Sequence, residues 1–487
     1  MPSNRVVKVR ASGDSVTAQE MRDGIAAIQA QQQVSPTFPE AVEKAAAEAA
    51  ANPRLPELDR TDIELVTVDP EGARDLDQAM HIERDGDGYV VHYAIADVAA
   101  FVSPGDPIDV EAHRRGETLY GANSKVPLHP PVLSEGAASL LPDEVRPALL
   151  WTIKVDDTGE GTDVEVERAL VRSRAQLTYE GVQADVDAGR ASELVGLLRE
   201  VGELRLAREA ARGGVSLPLP EQELVEQDGH WELEFRRLDA VESWNAQISL
   251  LTGMAAASLM VYARVGILRT LPPADPRDVQ RLHRTARALG IDWPAEQLYP
   301  DFVRTLDPSR PTHAAMIVAC TRLLRGAGYV TFNGELPEQA QHAALASEYA
   351  HVTAPLRRLA DRYAGEICVA LCAGTDVPDW VTAAMADLPD TMVESGRRAH
   401  AYENAVVDLC EAELLKDRVG ETFTAVVVEV EEKDPSTGEV TIQDPAIEAK
   451  VSGSADLPLG EEVQVKLVQA DPTSRSVSFE LATPTGS

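Results

Sequence analysis

The sequence predicts a multi-domain α+β fold, with a β-rich core, a helical part and a small C-terminal barrel. Three observations carry this reading. Apolar and polar residues alternate between positions 62 and 98, helical periodicity takes over from Ser243, and five short alternating segments fill the last 70 residues. At 487 residues and 44% hydrophobic composition, the chain can bury more than one core.

Residues 1–57 read as a helical N-terminal region, because FPEAVEKAAAEAAA is alanine-rich and the breakers NPRLPELDR follow it. DIELVTVD and QAMHIERDGDGYVVHYAIADV alternate as strands, and RDGDG supplies a hairpin turn. ALLWTIKVD and DVEVERALVRSRAQLTY extend the β-rich part. Helices are expected over SWNAQISLLTGMAAASLMVYAR, PRDVQRLHRTARALG and THAAMIVACTRLLRGAG, from Pro355 onward, and over roughly 390–416. Residues 58–417 therefore form one mixed domain.

Within 418–487, TFTAVVVEVEE, EVTIQD, IEAKVSG, EEVQVKLVQ and SVSFEL give five strands. That number in so short a length suits a barrel of the OB type, a common binder of single-stranded nucleic acid. Phe423 and Phe479 are its only aromatic residues, a sparse supply for base stacking.

The net charge of −35, from 80 acidic and 45 basic residues, argues against a protein that coats nucleic acid. It leaves room for a local arginine-lined groove. The N-terminal residues lack the apolar run of a secretory signal, and SLMVYARVGIL is interrupted by Arg264 and too short to span a bilayer. A cytoplasmic monomer without membrane attachment is expected. Cys320, Cys368, Cys372 and Cys410 have neither zinc-ribbon spacing nor a disulfide framework, and Cys368 and Cys372 read as helical thiols.

Two motifs point to chemistry. TVDPEGARDLDQAM sets Asp69, Asp75 and Asp77 within nine residues, a supply of oxygen ligands for a hard divalent cation. A solvated acidic loop would show the same spacing. EYAHVTAPLRRLADRYAG sets Arg357, Arg358 and Arg362 behind a Thr-Ala-Pro turn, and planar guanidinium groups at a helix N-terminus suit phosphate oxygens. A basic face paired with surface acids is the alternative. Together, metal-binding acids and a phosphate clamp describe phosphodiester hydrolysis.

VDPEGARDLDQA, then VVHYAIADVAAFVSPGDPIDVEAHRRGETLY, then VPLHPPVLSEGAASLLPDEVRPAL, then YAHVTAPLRRLAD resemble the RNB family of ribonuclease II and ribonuclease R type. The four ordered blocks spread over roughly 60–375. The resemblance implies a catalytic domain around a deep channel, flanked by OB-type RNA-binding domains. It implies a processive, Mg²⁺-dependent 3′→5′ hydrolysis of single-stranded RNA to nucleoside 5′-monophosphates, with Mn²⁺ as an alternative metal. On the same resemblance Asp77 and Arg357 are the catalytic residues, Asp69, Asp75, Asp77 and Gln78 occupy the metal-binding positions, and Tyr179, Arg357 and Arg358 contact RNA.

The departures from the family pattern are specific. Gln78 stands where a fourth aspartate is usual, Asn245, Ala246 and Gln247 stand near the place of a channel glutamate, and Ala354 replaces the serine of a Thr-Ser-Pro turn. The first 57 residues are too short and too helical for two cold-shock barrels. A glutamine carbonyl can accept a metal bond but brings no charge. Two other readings therefore stand beside the enzyme: a catalytically weakened RNB-fold protein that binds RNA and regulates it, and a general metal-dependent hydrolase of small nucleotides.

Overall fold

The computed structural model describes residues 8–10, 16–121, 124–219, 221–227 and 230–482. The alternating stretch forms the strands Leu65–Asp69, Gln78–Asp85 and Gly88–Ala96, and Val145–Val155 and Gly161–Thr178 complete a closed five-stranded barrel. Successive strands pair antiparallel. The barrel closes by a parallel pairing of Leu65–Asp69 with Gly161–Thr178, which sets Asp69 opposite Thr178. The end of the first strand, the start of the second at Gln78 and the end of the last thus share one rim.

Because side chains alternate across a strand, the barrel feeds two cores. Tyr93, Ile95, Leu149 and Trp151 pack with Val201, Trp244 and Tyr363, which come from the helices Glu193–Arg212, Ala240–Ala263 and Leu359–Cys372. Ala94, Ala96, Ala148 and Leu150 join Phe38 and Val42, the latter on the helix Glu40–Ala51. Helix Ala240–Ala263 opens with a capping box between Asp239 and Glu242 and ends at Arg264 in the left-handed region, at φ 57°. By length and composition it could cross a membrane. In this fold Trp244, Ile248, Leu251, Ala256 and Met260 bury it in the first of these cores.

The C-terminal strands Thr422–Val430, Thr437–Ile442, Ile447–Ser452, Glu462–Asp471 and Ser476–Leu481 close a second five-stranded barrel of OB type. Phe423 and Phe479 pack edge to face in its interior, with centroids 5.7 Å apart, so neither ring is available for base stacking. Helix Leu388–Leu415 lies between this barrel and helix Val16–Gln31, and Tyr402 shares a core with Ile25, Ile28 and Phe479.

Two features depart from the sequence reading. The N-terminal region also carries a strand, Lys8–Arg10, paired in parallel with Glu221–Gln227. The helix expected from Pro355 begins at Leu359. Backbone pairing explains the delay: Thr118 N donates to Arg357 O and Leu359 N donates to Gly116 O, both at 2.9 Å, which draws Arg358 into an extended bridge with Glu117 and leaves Arg357 in the turn before it. All four cysteines are free, and Cys368 and Cys372 share one helix, as read from the sequence.

Candidate active site

Asp77 precedes the second barrel strand and is only 4% exposed. Its Oδ1 accepts the Leu356 N–H at 2.8 Å, and its Oδ2 lies 3.3 Å from Arg357 Nε. Burial pushes the carboxyl up to about 8, against the opposing pull of Arg357 and the Leu356 N–H. The Arg357 side chain stays 44% exposed, so the guanidinium can face a ligand while it holds Asp77.

The turn that presents Arg357 is fastened from below. Asp361 Oδ1 accepts the Ala354 N–H at 2.6 Å, and the Asp361 carboxylate takes Arg358 in a two-pronged pair at 3.0 and 2.9 Å. The structure therefore brings Arg357 to the acidic cluster and engages Arg358 with Asp361. Arg362 pairs with Asp109 at 2.6 Å and is fully buried, a core role that its spacing beside Arg357 did not reveal.

The three aspartates have different surroundings. Asp69 Oδ2 is buried without a hydrogen-bond partner, and burial pushes its carboxyl up to about 6, against Thr67 and Arg357. Asp75 forms an ion pair with Lys125 at 3.0 Å, which also holds Glu135 at 2.7 Å, and the Tyr120 hydroxyl points to Asp75 at 3.4 Å. Lys125 and Tyr120 had no acid–base pattern around them in the sequence and could be found only by their fold neighbours.

Gln78 is engaged at both ends of its amide. Its Nε2 donates to Thr353 O at 2.6 Å, and its Oε1 accepts from the Tyr93 hydroxyl at 3.1 Å. Ser249 lies 2.8 Å from the same hydroxyl. A carboxylate at this position would set an oxygen against the Thr353 carbonyl. The amide is thus the form these partners accept, and its carbonyl already has a donor.

Tyr179 follows the last barrel strand and opens helix Tyr179–Asp187. Its hydroxyl accepts Asn245 Nδ2 at 3.0 Å, and burial pushes the phenol up to about 12. Asn245 is 7% exposed and its Oδ1 has no partner. Of its neighbours in the motif, Gln247 bonds Glu209 at 2.8 Å and takes no part in the rim.

No group of three His, Cys, Asp or Glu among the described residues converges as a metal cluster. The rim offers a smaller donor set that fits a hard cation: the unpartnered oxygens of Asp69 and Asn245, with Asp77 in the same electrostatic neighbourhood, since the charge of Asp75 bears on both Asp69 and Asp77. Magnesium sites commonly use one or two carboxylates and complete their shell with water and substrate phosphate.

Comparison with known proteins bears on the family and the fold. The RNB domain profile matches residues 58–372, and the RNase II-type exonuclease C-terminal S1 domain matches residues 421–482. Ribonuclease R of Escherichia coli (strain K12) is 28% identical over 425 residues, covering 81% of this chain and 51% of the relative. The Probable exosome complex exonuclease RRP44 of Caenorhabditis elegans is 30% identical over 344 residues, covering 66% of this chain and 35% of the relative. The chain thus spans between a third and about half the length of these relatives. Among solved structures, Mycoplasma genitalium RNase R in complex with ribose-methylated single-stranded RNA superimposes with a TM-score of 0.83 at 20% identity, over 95% of this chain and 78% of that one. Yeast Ssd1, a pseudonuclease, has the same fold with a TM-score of 0.68 at 14% identity, over 93% and 57%. With almost two thirds of its length inside the RNB domain and an S1 barrel behind it, the chain belongs to the RNB family.

Proposed function

We propose that the protein is a Mg²⁺-dependent 3′→5′ exoribonuclease that hydrolyses single-stranded RNA to nucleoside 5′-monophosphates. One observation carries the reading: a half-exposed Arg357 and a buried Asp77 hold each other 3.3 Å apart, at the rim where Asp69 keeps a free oxygen. Arg357 donates to the scissile phosphate and stabilises the charge that grows on it. A preorganised donor of this kind contributes about 3 kcal/mol. Asp77 and the Leu356 N–H orient that arginine, and Asp361 holds the turn beneath it. Asp69 and Asp77 hold the divalent cation, with Asn245 Oδ1 beside them. The cation, when bound, supplies charge neutralisation and activates water. Tyr179, fixed through its hydroxyl by Asn245, stacks on a terminal base, a contact worth about 1–3 kcal/mol.

A second reading, an RNB-fold protein that binds RNA with weakened catalysis, is favoured by one observation. Gln78 has both ends of its amide engaged and brings no charge to the rim. The likeness to a pseudonuclease fits that reading at the level of fold. The two are separated by incubating 5′-labelled single-stranded RNA with the wild type and Asp77→Asn, in Mg²⁺ and in Mn²⁺. Shortening from the 3′ end by the wild type alone supports the enzyme. Binding without shortening in either metal supports the second reading.

A further inference from the structure

The segment from Arg264 to Arg325 reverses the charge of the chain. It holds ten arginines and six carboxylates, in a protein of net charge −35. Helix Pro276–Ala288, PRDVQRLHRTARA, concentrates this excess. Leu282 and Ala286 bury one side of it in a core with Met316 and Val428, and Arg277, Arg284 and Arg287 are exposed. At 100° per residue these three arginines fall within an arc of about 80°, in a row about 15 Å long.

Asp278 and Glu432 are engaged by Arg281. Asp278 lies 3.7 Å from Arg281, and Arg281 Nε reaches Glu432 of the C-terminal barrel at 3.0 Å. Among the described residues, Arg277, Arg284 and Arg287 have no ion-pair partner, although the chain carries 80 carboxylates. The helix is also held in place. His283 stacks on Trp293 at 3.8 Å, and Trp293 stacks on Phe302 at 4.0 Å.

This rigid basic face is joined to the candidate site. It stands on a two-stranded stalk, Val265–Thr270 with Gly328–Asn333. Arg269 of the stalk donates its backbone N–H to Tyr349 O at 2.8 Å, and Tyr329 bonds His351 at 2.6 Å. The segment Tyr349–Thr353 then runs directly into the turn that carries Arg357. A positive row in a strongly negative field selects a flexible polyanion over a folded acidic surface, because the latter would bring its own repulsion against the carboxylates of the rest of the chain.

Resting on the exoribonuclease reading, we propose that Arg277, Arg284 and Arg287 form an outlying phosphate-binding row that captures the RNA backbone 5′ of the nucleotides held at the active site. It acts in addition to the arginine-lined groove expected from the sequence, and it reads no bases.

The test uses the full chain in an Asp77→Asn background, so that RNA is bound and not consumed, with Arg277→Glu, Arg284→Glu and Arg287→Glu combined. Affinity for a labelled oligouridylate of about 25 nucleotides and for a tetranucleotide is measured by anisotropy across a salt series. Loss of three single-strand phosphate contacts lowers the slope of log K against log salt by about 2. We expect that drop, with at least a tenfold loss for the long RNA at low salt, a much smaller loss for the tetranucleotide, and recovery of the slope in the triple Arg→Lys variant. An unchanged slope, or equal losses at both lengths, overturns the proposal. So does an unchanged slope accompanied by a change in sedimentation of the RNA-free protein, which would make the face a contact between copies. Failure of the Asp77→Asn parent itself to bind the long RNA overturns the underlying reading as well, and it is seen before any arginine is changed.

Discussion

Arg357 Nε lies 3.3 Å from Asp77 Oδ2, while the Leu356 N–H closes on the other oxygen of the same carboxylate at 2.8 Å. The turn and the first barrel loop are thus joined through one buried acid. Removing either partner should disable chemistry before it disables binding. Arg357→Ala is expected to lower kcat by about 10²–10³, with RNA affinity changed by less than tenfold. Single-turnover cleavage of 5′-labelled RNA, beside a binding isotherm, checks the split. A loss confined to affinity would contradict this role for Arg357.

Asp361 is fully buried and serves both Arg358 and the Ala354 N–H. Asp361→Asn keeps an acceptor for the backbone but leaves Arg358 with its charge uncompensated. Breaking one side of a buried pair costs about 3–5 kcal/mol, which urea denaturation should resolve. A loss below about 1 kcal/mol would mean that Arg358 finds another partner or turns to solvent.

Gln78→Asp bears on the departure from the family pattern. The shorter carboxylate cannot donate to Thr353 O, so the metal-free variant should be less stable by about 1–3 kcal/mol. It also restores a negative charge to the rim. Mg²⁺ should therefore raise the melting temperature of Gln78→Asp more than that of the wild type, because a ligand that binds the native state better stabilises it more. Equal Mg²⁺ shifts in the two proteins would remove position 78 from the metal question.

Glu403, on helix Leu388–Leu415, is pushed up to about 7 by burial and then by the nearby carboxylate of Glu117. Its folded value is raised above the ordinary glutamate value. The neutral form therefore contributes stability that is complete below about pH 4.5 and lost as pH rises through about 7. Glu403→Gln removes that dependence. It should be close to neutral at pH 5 and stabilising by about 2 kcal/mol at pH 8.5. Thermal melts of both proteins across this window provide the check, and parallel curves would contradict it.

Local pattern made the strands legible. Alternation in QAMHIERDGDGYVVHYAIADV became the hairpin Gln78–Asp85 with Gly88–Ala96, and all five C-terminal segments became barrel strands. The closure of the first barrel was not legible, because Asp69 meets Thr178 across more than a hundred residues and no periodicity encodes that pairing. The candidate site divides in the same way. Asp69, Asp77 and Arg357 were visible as residue types in short motifs. The groups that decide how they behave, namely Lys125 at Asp75, Tyr93 and Thr353 at Gln78, and Asn245 at Tyr179, arrive from distant segments. The paired arginines also looked alike in sequence. Only the fold separates Arg357, turned to Asp77, from Arg358, held by Asp361.

The shared core of helix Val16–Gln31 and helix Leu388–Leu415 has a consequence for biosynthesis. Gln29 donates to the Tyr402 hydroxyl at 3.1 Å, although 373 positions separate the two residues. At about 5–20 residues per second, a ribosome needs roughly 20–75 s to make the second partner after the first. For that interval Met21, Ile25 and Ile28 have no native surface to cover them. Helix Val16–Gln31 is therefore seated only after the helix that carries Tyr402 has been made, and its apolar face must be shielded from aggregation until then.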